Sequence, residues 1–403
     1  AKRIPQKNLH ISRFDYDSAI GAFIGQPPAW PVPTQGISEL RLAIRYQPKN
    51  SLLKYATDMA TLYLDITDYP GEWLLDLPLL AQTYEEWSLQ TCALLAQRPR
   101  QAHAQGFIDK VNQIDPFAPA DENVLAELAQ EYTDLLLYFR HELGLSVIQP
   151  GRFILPGDLA GAPILAFFPF TQFAQLDAND YQNACDNSYI GMLRTRYVEY
   201  KNRVVKKFYQ QHFVHFDRQI VLADCLTPLN NGPDSFADLK NAITMILSSY
   251  HYGRANFFSR LFAPKIDKLL FAATKADHVT PEQHKHLTSL LNELTNKAAQ
   301  PINYQAIEMK TLAIASVRTT KLGESMYKGK TVPVIQGCRA EDQQVITVFP
   351  GTVPKKLPSA SFWQDNDFNF INFNPQAAIS EHEALPHIRM DQVMQFLLGD
   401  KLT

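Results

Sequence analysis

The sequence of 403 residues lacks the marks of several large protein classes. Its four cysteines, Cys92, Cys185, Cys225 and Cys338, lie far apart and form no C-x-x-C pair. That excludes a disulfide scaffold and fits a reducing, cytoplasmic interior. No apolar run approaches the ~20 residues that cross a bilayer; the longest, such as Ala162 to Phe170 and Leu135 to Phe139, are far shorter. The opening AKRIPQKNLHIS has no apolar stretch before a small-residue cleavage site, so it does not read as a secretory signal. Charge of one sign is also missing: a formal net charge of -3 leaves no basic excess, and nucleic acid is not an expected partner. Nor is there a Ser-His-Asp signature, a G-x-S-x-G elbow or an H-E-x-x-H helix. With 46% hydrophobic and 20% charged residues the chain is not disordered, and its length suits two or three domains.

Residues 36 to 46 (GISELRLAIRY) and 60 to 67 (ATLYLDIT) are predicted strands, the first alternating and the second rich in apolar and aromatic residues. Gln47 to Ser51 supplies turn chemistry between them. From about Leu74 to His215 the period turns helical. Asp121 to Leu143 shows this best, with an Asp cap, apolar residues at helical spacing and Gly144 as a stop. The Pro/Gly-rich stretch Gln149 to Pro169 is incompatible with one helix and is expected as an ordered loop. Beyond Arg218, strands at Gln219 to Cys225, Lys268 to Thr274 and Thr311 to Ser316 alternate with helices near Phe236 to Ser249 and Pro281 to Leu294. Thr280, Pro281 and Gln283 give the last helix a cap, a first-turn proline and a capping-box partner. Alternation of this kind predicts a mainly parallel, doubly wound α/β sheet with its ligand site just beyond the strands' C-terminal ends.

Chemistry-bearing residues stand at those ends. The second strand runs into Asp68-Tyr69-Pro70-Gly71-Glu72. An apolar strand that delivers a carboxylate, followed by D-x-x-G, is how nucleotide hydrolases hold a Mg²⁺ shell while a backbone amide meets the γ-phosphate. The same tetrapeptide also serves as a plain turn. The strand at 268 ends in Thr274-Lys275-Ala276-Asp277, which fits guanine recognition: the Asp277 carboxylate accepts from ring N1 and the exocyclic amine, and the Lys275 stem packs along the base. The last strand ends in Ala315-Ser316-Val317, where a backbone amide could meet guanine O6. Each tetrapeptide is weak alone; their order after successive strands gives them weight.

At these residues the chain resembles the Ras-like P-loop GTPases, and more closely the YcjX-like family of stress-associated bacterial GTPases. Leu64 to Glu72 is similar to a Ras-type third strand and switch II, and Thr34-Gln35-Gly36-Ile37-Ser38-Glu39 to the switch I segment of G-protein α subunits. The YcjX-like resemblance covers nearly the whole chain. It is carried by FDYDSAI (Phe14 to Ile20), DYPGEWLLDLPLL (Asp68 to Leu80), PGDLAG (Pro156 to Gly161), FAATKADHVTPEQH (Phe271 to His284) and the PHIRMDQVMQFLLGDKL tail. It implies Thr34 and Asp68 as Mg²⁺ ligands, Gly71 as the amide facing the γ-phosphate, Glu72 at the water-positioning place, and Thr274, Lys275, Asp277, Ser316 and Val317 around GTP or GDP. It also implies a G-x-x-x-x-G-K-[ST] phosphate loop, and none occurs in these 403 residues. The expectation is that this loop, its strand and its helix precede the region given. Gly329-Lys330-Thr331 reads instead as a β-hairpin turn.

Two further departures bear on catalysis. Glu72 replaces the glutamine that orients water in Ras-like enzymes, and Pro31 stands where α subunits place an arginine. Arg194, Arg196 and Arg203 are possible substitutes, or else a solvated helix face. His212 and His215 could share a metal but lack a third ligand nearby and fit packing better. The basic run Lys201, Arg203, Lys206 and Lys207 could face an anionic surface or simply solvent. Asp224 is expected on the nucleotide side, in a structural or supporting role.

The combined expectation is an α/β P-loop NTPase fold, Ras-like, with a large all-helical insertion and a C-terminal α+β extension. Its parts would be residues 1–78 and 217–318 for the core, 79–216 for the insertion and 319–403 for the extension. The function expected is a slow Mg²⁺-dependent GTPase acting as a stress-linked switch, cytoplasmic or peripheral at the inner membrane, with an unidentified protein effector. A non-catalytic scaffold on the same core is the alternative, and an ATPase is disfavoured by Thr274-Lys275-Ala276-Asp277.

Overall fold

Strands β1 (Lys2–Ile4), β2 (Ser12–Arg13), β3 (Ser38–Tyr46) and β4 (Ala60–Asp68) form the first sheet. β3 and β4 pair antiparallel along their full length, from Ser38 opposite Asp68 to Tyr46 opposite Ala60. β1 adds antiparallel to β3 and β2 adds parallel to it. The computed structural model describes residues 1–48, 58–250, 266–299, 307–327, 329–365, 370–376 and 384–402. Of the turn expected over Gln47 to Ser51, residues 49–51 lie outside the described residues.

A second, three-stranded sheet holds β5 (Arg218–Ala223), β6 (Lys268–Ala273) and β7 (Glu308–Ala313), all parallel in that order. The expectation of one mainly parallel sheet is corrected here. Only these three strands form a parallel sheet, because among the described residues β4 pairs with β3 alone and β5 with β6 alone. β6 is buried on both faces, as a central parallel strand requires. One face carries Leu269, Phe271 and Ala273 into the main core, beneath the helices Pro233–Ser249 and His284–Ala299. The other packs Leu270, Ala272, Leu312 and Ile314 against Val393 and Phe396 of the C-terminal helix Met390–Leu398.

Between the sheets the chain is helical. A 3-10 segment, Gly71–Ala81, leads into helices Tyr84–Leu95, Gln101–Val111, Glu122–His141 and Tyr189–Tyr200. The helix expected over Asp121 to Leu143 forms as Glu122–His141, with the Asp121 carboxylate accepting from the Asn123 amide and Gly144 beyond it at φ +60°. Residues 149–169 fold as short turns of helix at Gly151–Ile154, Gly157–Leu159 and Pro163–Leu165, as their prolines dictate. No helix among the described residues is long and apolar enough to cross a membrane.

The capping box expected at Thr280 to Gln283 does not form. A 3-10 turn, Pro281–Gln283, opens this stretch, and the Gln283 side chain instead donates to the Gly351 carbonyl at 2.7 Å and accepts from the Val353 amide at 2.6 Å. Those longer-range partners belong to the C-terminal region. There β8 (Lys321–Tyr327), β9 (Lys330–Arg339), β10 (Val345–Val348) and β11 (Phe373–Asn374) make a third, antiparallel sheet. Gly329 turns the β8–β9 hairpin at φ +76°, as expected for the G-K-T fragment.

Candidate functional site

A cleft of about 1380 Å³ opens between the unpaired edges of β4 and β5. Leu62 to Asp68 line one side and Arg218 to Asp224 the other; Gly71, Glu72 and Arg140 also border it. Its walls carry apolar side chains in solvent: Leu222 is 66% exposed, Tyr63 58% and Ile66 42%. Alternation explains Leu222, since Val221 and Ala223 point into the core and Leu222 points away from it.

Two groups of expected site residues form, the first beside this cleft and the second beyond the Asp224 end of it. In the first, the Thr34 hydroxyl donates to Asp68 Oδ2 at 2.6 Å, although the two are distant in sequence. Asp68 is the last residue of β4, and Gly71 opens the following 3-10 segment with open space where a Cβ would stand. Glu72 turns toward the helical region and forms an ion pair with Arg140, near the end of helix Glu122–His141.

In the second group, Lys275 stands just beyond β6 in the left-handed region, φ +60°, a conformation disfavoured for a residue with a Cβ. Its ammonium donates to Asp224 Oδ2 at 2.7 Å and to Asn372 Oδ1 at 3.0 Å. Asp224 also accepts from the Leu226 and Thr227 amides and the Thr227 hydroxyl. Burial pushes the Asp224 carboxyl up, but the Lys275 charge and these hydrogen bonds outweigh it and hold it below the ordinary carboxylate value. Asp277 is buried. Its Oδ2 accepts from the Thr319 amide and hydroxyl, each at 2.7 Å, and its Oδ1 lies 3.2 Å from His278 Nδ1. Burial raises this carboxyl too, and the His278 and Thr319 contacts more than offset it. Thr274 extends the sheet through its amide to the Ala223 carbonyl. Ser316 is exposed and Val317 buried beyond the end of β7, which stops at Ala313 rather than Ser316.

The cleft touches Asp68, Gly71 and Glu72 directly and reaches the Lys275 group through Asp224 and Thr227. Thr34, Asp277, Ser316 and Val317 lie outside its lining. Arg194, Arg196 and Arg203 are all engaged elsewhere: Arg194 with the Tyr181 carbonyl, Arg196 with Glu122 and the Ala166 carbonyl, Arg203 with Glu199. Arg140, Thr319 and Asn372 were not legible as site residues, since no fixed spacing ties them to the motifs they serve. Among the described residues there is no group of three or more His, Cys, Asp or Glu that could hold a metal ion. Lys201 donates to the Gln82 carbonyl, and the side chains of Arg203, Lys206 and Lys207 are exposed.

A three-stranded parallel sheet flanked by helices, with Asp224, Lys275 and Asp277 just beyond its strand ends, places the chain in the α/β class. Within it, the chain belongs to the YcjX-like family (DUF463), whose model matches residues 1–402. It is 49% identical over 401 residues to the Ras-like GTPase YcjX of Escherichia coli K12, with all of this chain and 86% of that protein covered. It is 43% identical over 407 residues to the Ras-like GTPase YcjX of Shewanella oneidensis, covering all of this chain and 83% of the relative.

Proposed function

We propose that the protein is a guanine-nucleotide-binding switch and, in its full-length form, a slow Mg²⁺-dependent GTPase. The observation that carries this reading is the Thr34 hydroxyl on Asp68 at 2.6 Å, which joins two hard oxygen donors from separate segments beside the D-x-x-G turn. Mg²⁺ typically takes one or two protein oxygens and completes its shell with water and phosphate. The pair fits that demand, and no larger acidic cluster is needed. Thr34 would bind the ion directly and Asp68 through a water; when bound, it neutralises charge on the phosphate oxygens. The Gly71 amide donates to the γ-phosphate. Water attacks the γ-phosphorus in line, the bond to the β,γ-bridging oxygen breaks, and GDP and phosphate leave. Thr274, Lys275 and Asp277 read guanine, with the amides of Ser316 and Val317 near its O6.

The cleft supports one more element of this reading. Two unpaired apolar strand edges facing each other are an aggregation hazard that folded proteins normally cover. A strand between β4 and β5 would join both sheets and deliver a phosphate-binding loop beside Asp68. The relatives, which extend beyond the matched region, have chain available for it. On this reading residues 1–78 and 217–318 are the core, 79–216 a helical insertion, and 319–403 a C-terminal extension. The insertion offers a surface for a protein effector or an inner-membrane partner in a stress response. One observation favours a second reading, a nucleotide-binding scaffold without turnover: Glu72 is tied to Arg140 rather than free to orient water.

Titration of the full-length protein with fluorescent GTP and ATP, with and without Mg²⁺, tests the proposal. The expected result is GTP-selective, Mg²⁺-dependent binding, with Asp277→Asn shifting preference toward xanthosine nucleotides. Equal binding of both bases, or base preference unchanged in Asp277→Asn, would overturn the guanine assignment. Phosphate release in the same samples separates the enzyme from the scaffold.

A further inference from the structure

The short strand β11 belongs to the C-terminal sheet, yet it lies against the loop that carries Lys275 and Asp277. It pairs antiparallel with β9, Phe373 opposite Arg339 and Asn374 opposite Cys338, and the Ala340 amide donates to the Asn372 carbonyl at 2.9 Å. Phe373 is buried across β9 at Gly337, where a Cβ would come within 2.6 Å of the ring. Only glycine leaves that space. The segment is therefore held by its own sheet and is not a free tail.

Three contacts run from this segment to the base-reading loop. Asn372 Oδ1 accepts from the Lys275 ammonium at 3.0 Å. The Phe373 ring packs on the His278 ring with centroids 5.2 Å apart, and His278 neighbours Asp277 in sequence. Gln376 donates to the Thr319 carbonyl at 2.8 Å, and Thr319 is the residue whose amide and hydroxyl hold Asp277. A fourth contact runs the other way: the Trp30 indole N–H donates to the Phe373 carbonyl at 3.0 Å. Trp30 lies four residues before Thr34, on the segment that meets Asp68.

We propose that residues Asn372 to Gln376 form a positioning strap that holds Lys275 and Asp277 in register for the base and links that loop to the Thr34 segment through Trp30. The inference rests on the guanine reading given above. Its physical content is a shared element: one short strand fixes the lysine, the aromatic neighbour of the aspartate, and the indole ahead of the metal-binding threonine. A base that settles against Lys275 and Asp277 then favours the same strand position that orders Trp30. Removing either end of the strap loosens both.

Release of fluorescent GDP from the full-length protein, with fluorescent ADP as comparison, tests this. Asn372 is exposed, so Asn372→Ala leaves the fold intact. It is expected to speed GDP release about fivefold, the size of one hydrogen bond, and to narrow the guanine-over-adenine preference. Asn372→Asp keeps an acceptor for the ammonium and is expected to restore both. Trp30→Phe, which keeps a ring and drops the N–H, is expected to have a similar effect on release although it touches no base-reading residue. The double variant Trp30→Phe with Asn372→Ala is expected to be no faster than about twice the faster single, because both break one linkage. Unchanged release in Asn372→Ala, or multiplied effects in the double variant, with guanine preference intact in the wild type, overturns the strap and leaves the base site standing. A wild type without guanine preference overturns the base-site reading and the strap with it.

Discussion

The helical region from Gly71 to His215 and the facing edges of β4 and β5 solve the problem of apolar surface in opposite ways. In the helical region the chain covers its own large aromatic side chains. Tyr84, Trp87, Tyr132, Phe167, Phe168, Tyr197 and Tyr200 are each less than 2% exposed and pack ring against ring. Their polar tips mostly find partners, as with Tyr84 on the Phe168 carbonyl and Tyr132 on the Gln149 carbonyl. The buried Arg100 is paired, meeting Asp238 at 2.8 Å, and Asp238 also accepts from the Ser146 and Val147 amides. At the strand edges Leu222, Tyr63 and Ile66 instead line the cleft and stay exposed, Tyr63 with the Arg41 guanidinium over its ring. The first region closes its large apolar side chains on one another, and the second leaves part of its own exposed. The D-x-x-G turn and the Asp224 to Lys275 pair lie on the second.

The comparison breaks first if the scaffold proves soft. Trp87 touches Tyr84, Tyr132, Phe167 and Tyr197, so Trp87→Ala opens a large cavity and is expected to cost about 3–5 kcal/mol. Trp87→Phe is expected to cost under about 1.5 kcal/mol, because the indole N–H it discards has no hydrogen-bond partner among the described residues. Denaturant unfolding of the two variants checks this, and similar losses in both would mean that the ring stack is not what holds the helices.

Asp76 sharpens the comparison at the joint between the two regions. It sits in the 3-10 segment that follows the D-x-x-G turn, and its carboxylate accepts from the Tyr200 hydroxyl at 2.5 Å and the Gly151 amide at 2.8 Å. Burial pushes its pKa up to about 6. A carboxyl that binds its proton more tightly when folded makes stability fall as pH rises from about 4 to about 6. The contribution is at most about 3 kcal/mol. Asp76→Asn keeps the shape and removes the titration, so its unfolding midpoint is expected to vary less with pH than that of the wild type across this window. Parallel pH profiles for the two proteins would exclude Asp76 as the source.

The difference between the regions also explains what was legible in the sequence. The helix at 122–141 follows from periodicity because it buries one stripe against its neighbours, and the strands at 38–46 and 60–68 follow from their strand-forming residues although β4 buries no residue fully. Thr34 and Asp68 were each expected as Mg²⁺ ligands through the switch-segment resemblance, and the hydrogen bond that joins them directly was not part of that expectation. The split into two sheets was not legible, since strand periodicity says which face is buried and not which edge is paired. Arg140 opposite Glu72, Thr319 beneath Asp277 and Asn372 on Lys275 were hidden for the same reason: each contact joins segments far apart in the chain. Gln283 shows the competition directly, since its side chain was expected to cap its own helix and serves the backbone at Gly351 and Val353 instead.

The smallest expected effect decides the cleft itself. Leu222 is 66% exposed and Leu269, on the adjacent strand β6, is fully buried. If the expected strand and the helix after it fill the cleft in the full-length protein, the helix covers the outer face that carries Leu222, and both leucines are core residues there. Leu222→Ala is then expected to cost about 2 kcal/mol, at the lower end of the range for Leu269→Ala. If the cleft stays open, Leu222→Ala behaves as a surface change and falls within about 0.5 kcal/mol. Denaturant midpoints of the two variants, measured on the full-length protein, separate these cases. A neutral Leu222→Ala beside a costly Leu269→Ala would leave the two sheets independent and remove the place proposed here for the phosphate-binding loop. A cost in both would make β4 and β5 neighbours of one common strand, and the cleft the seam along which nucleotide binding and folding are joined.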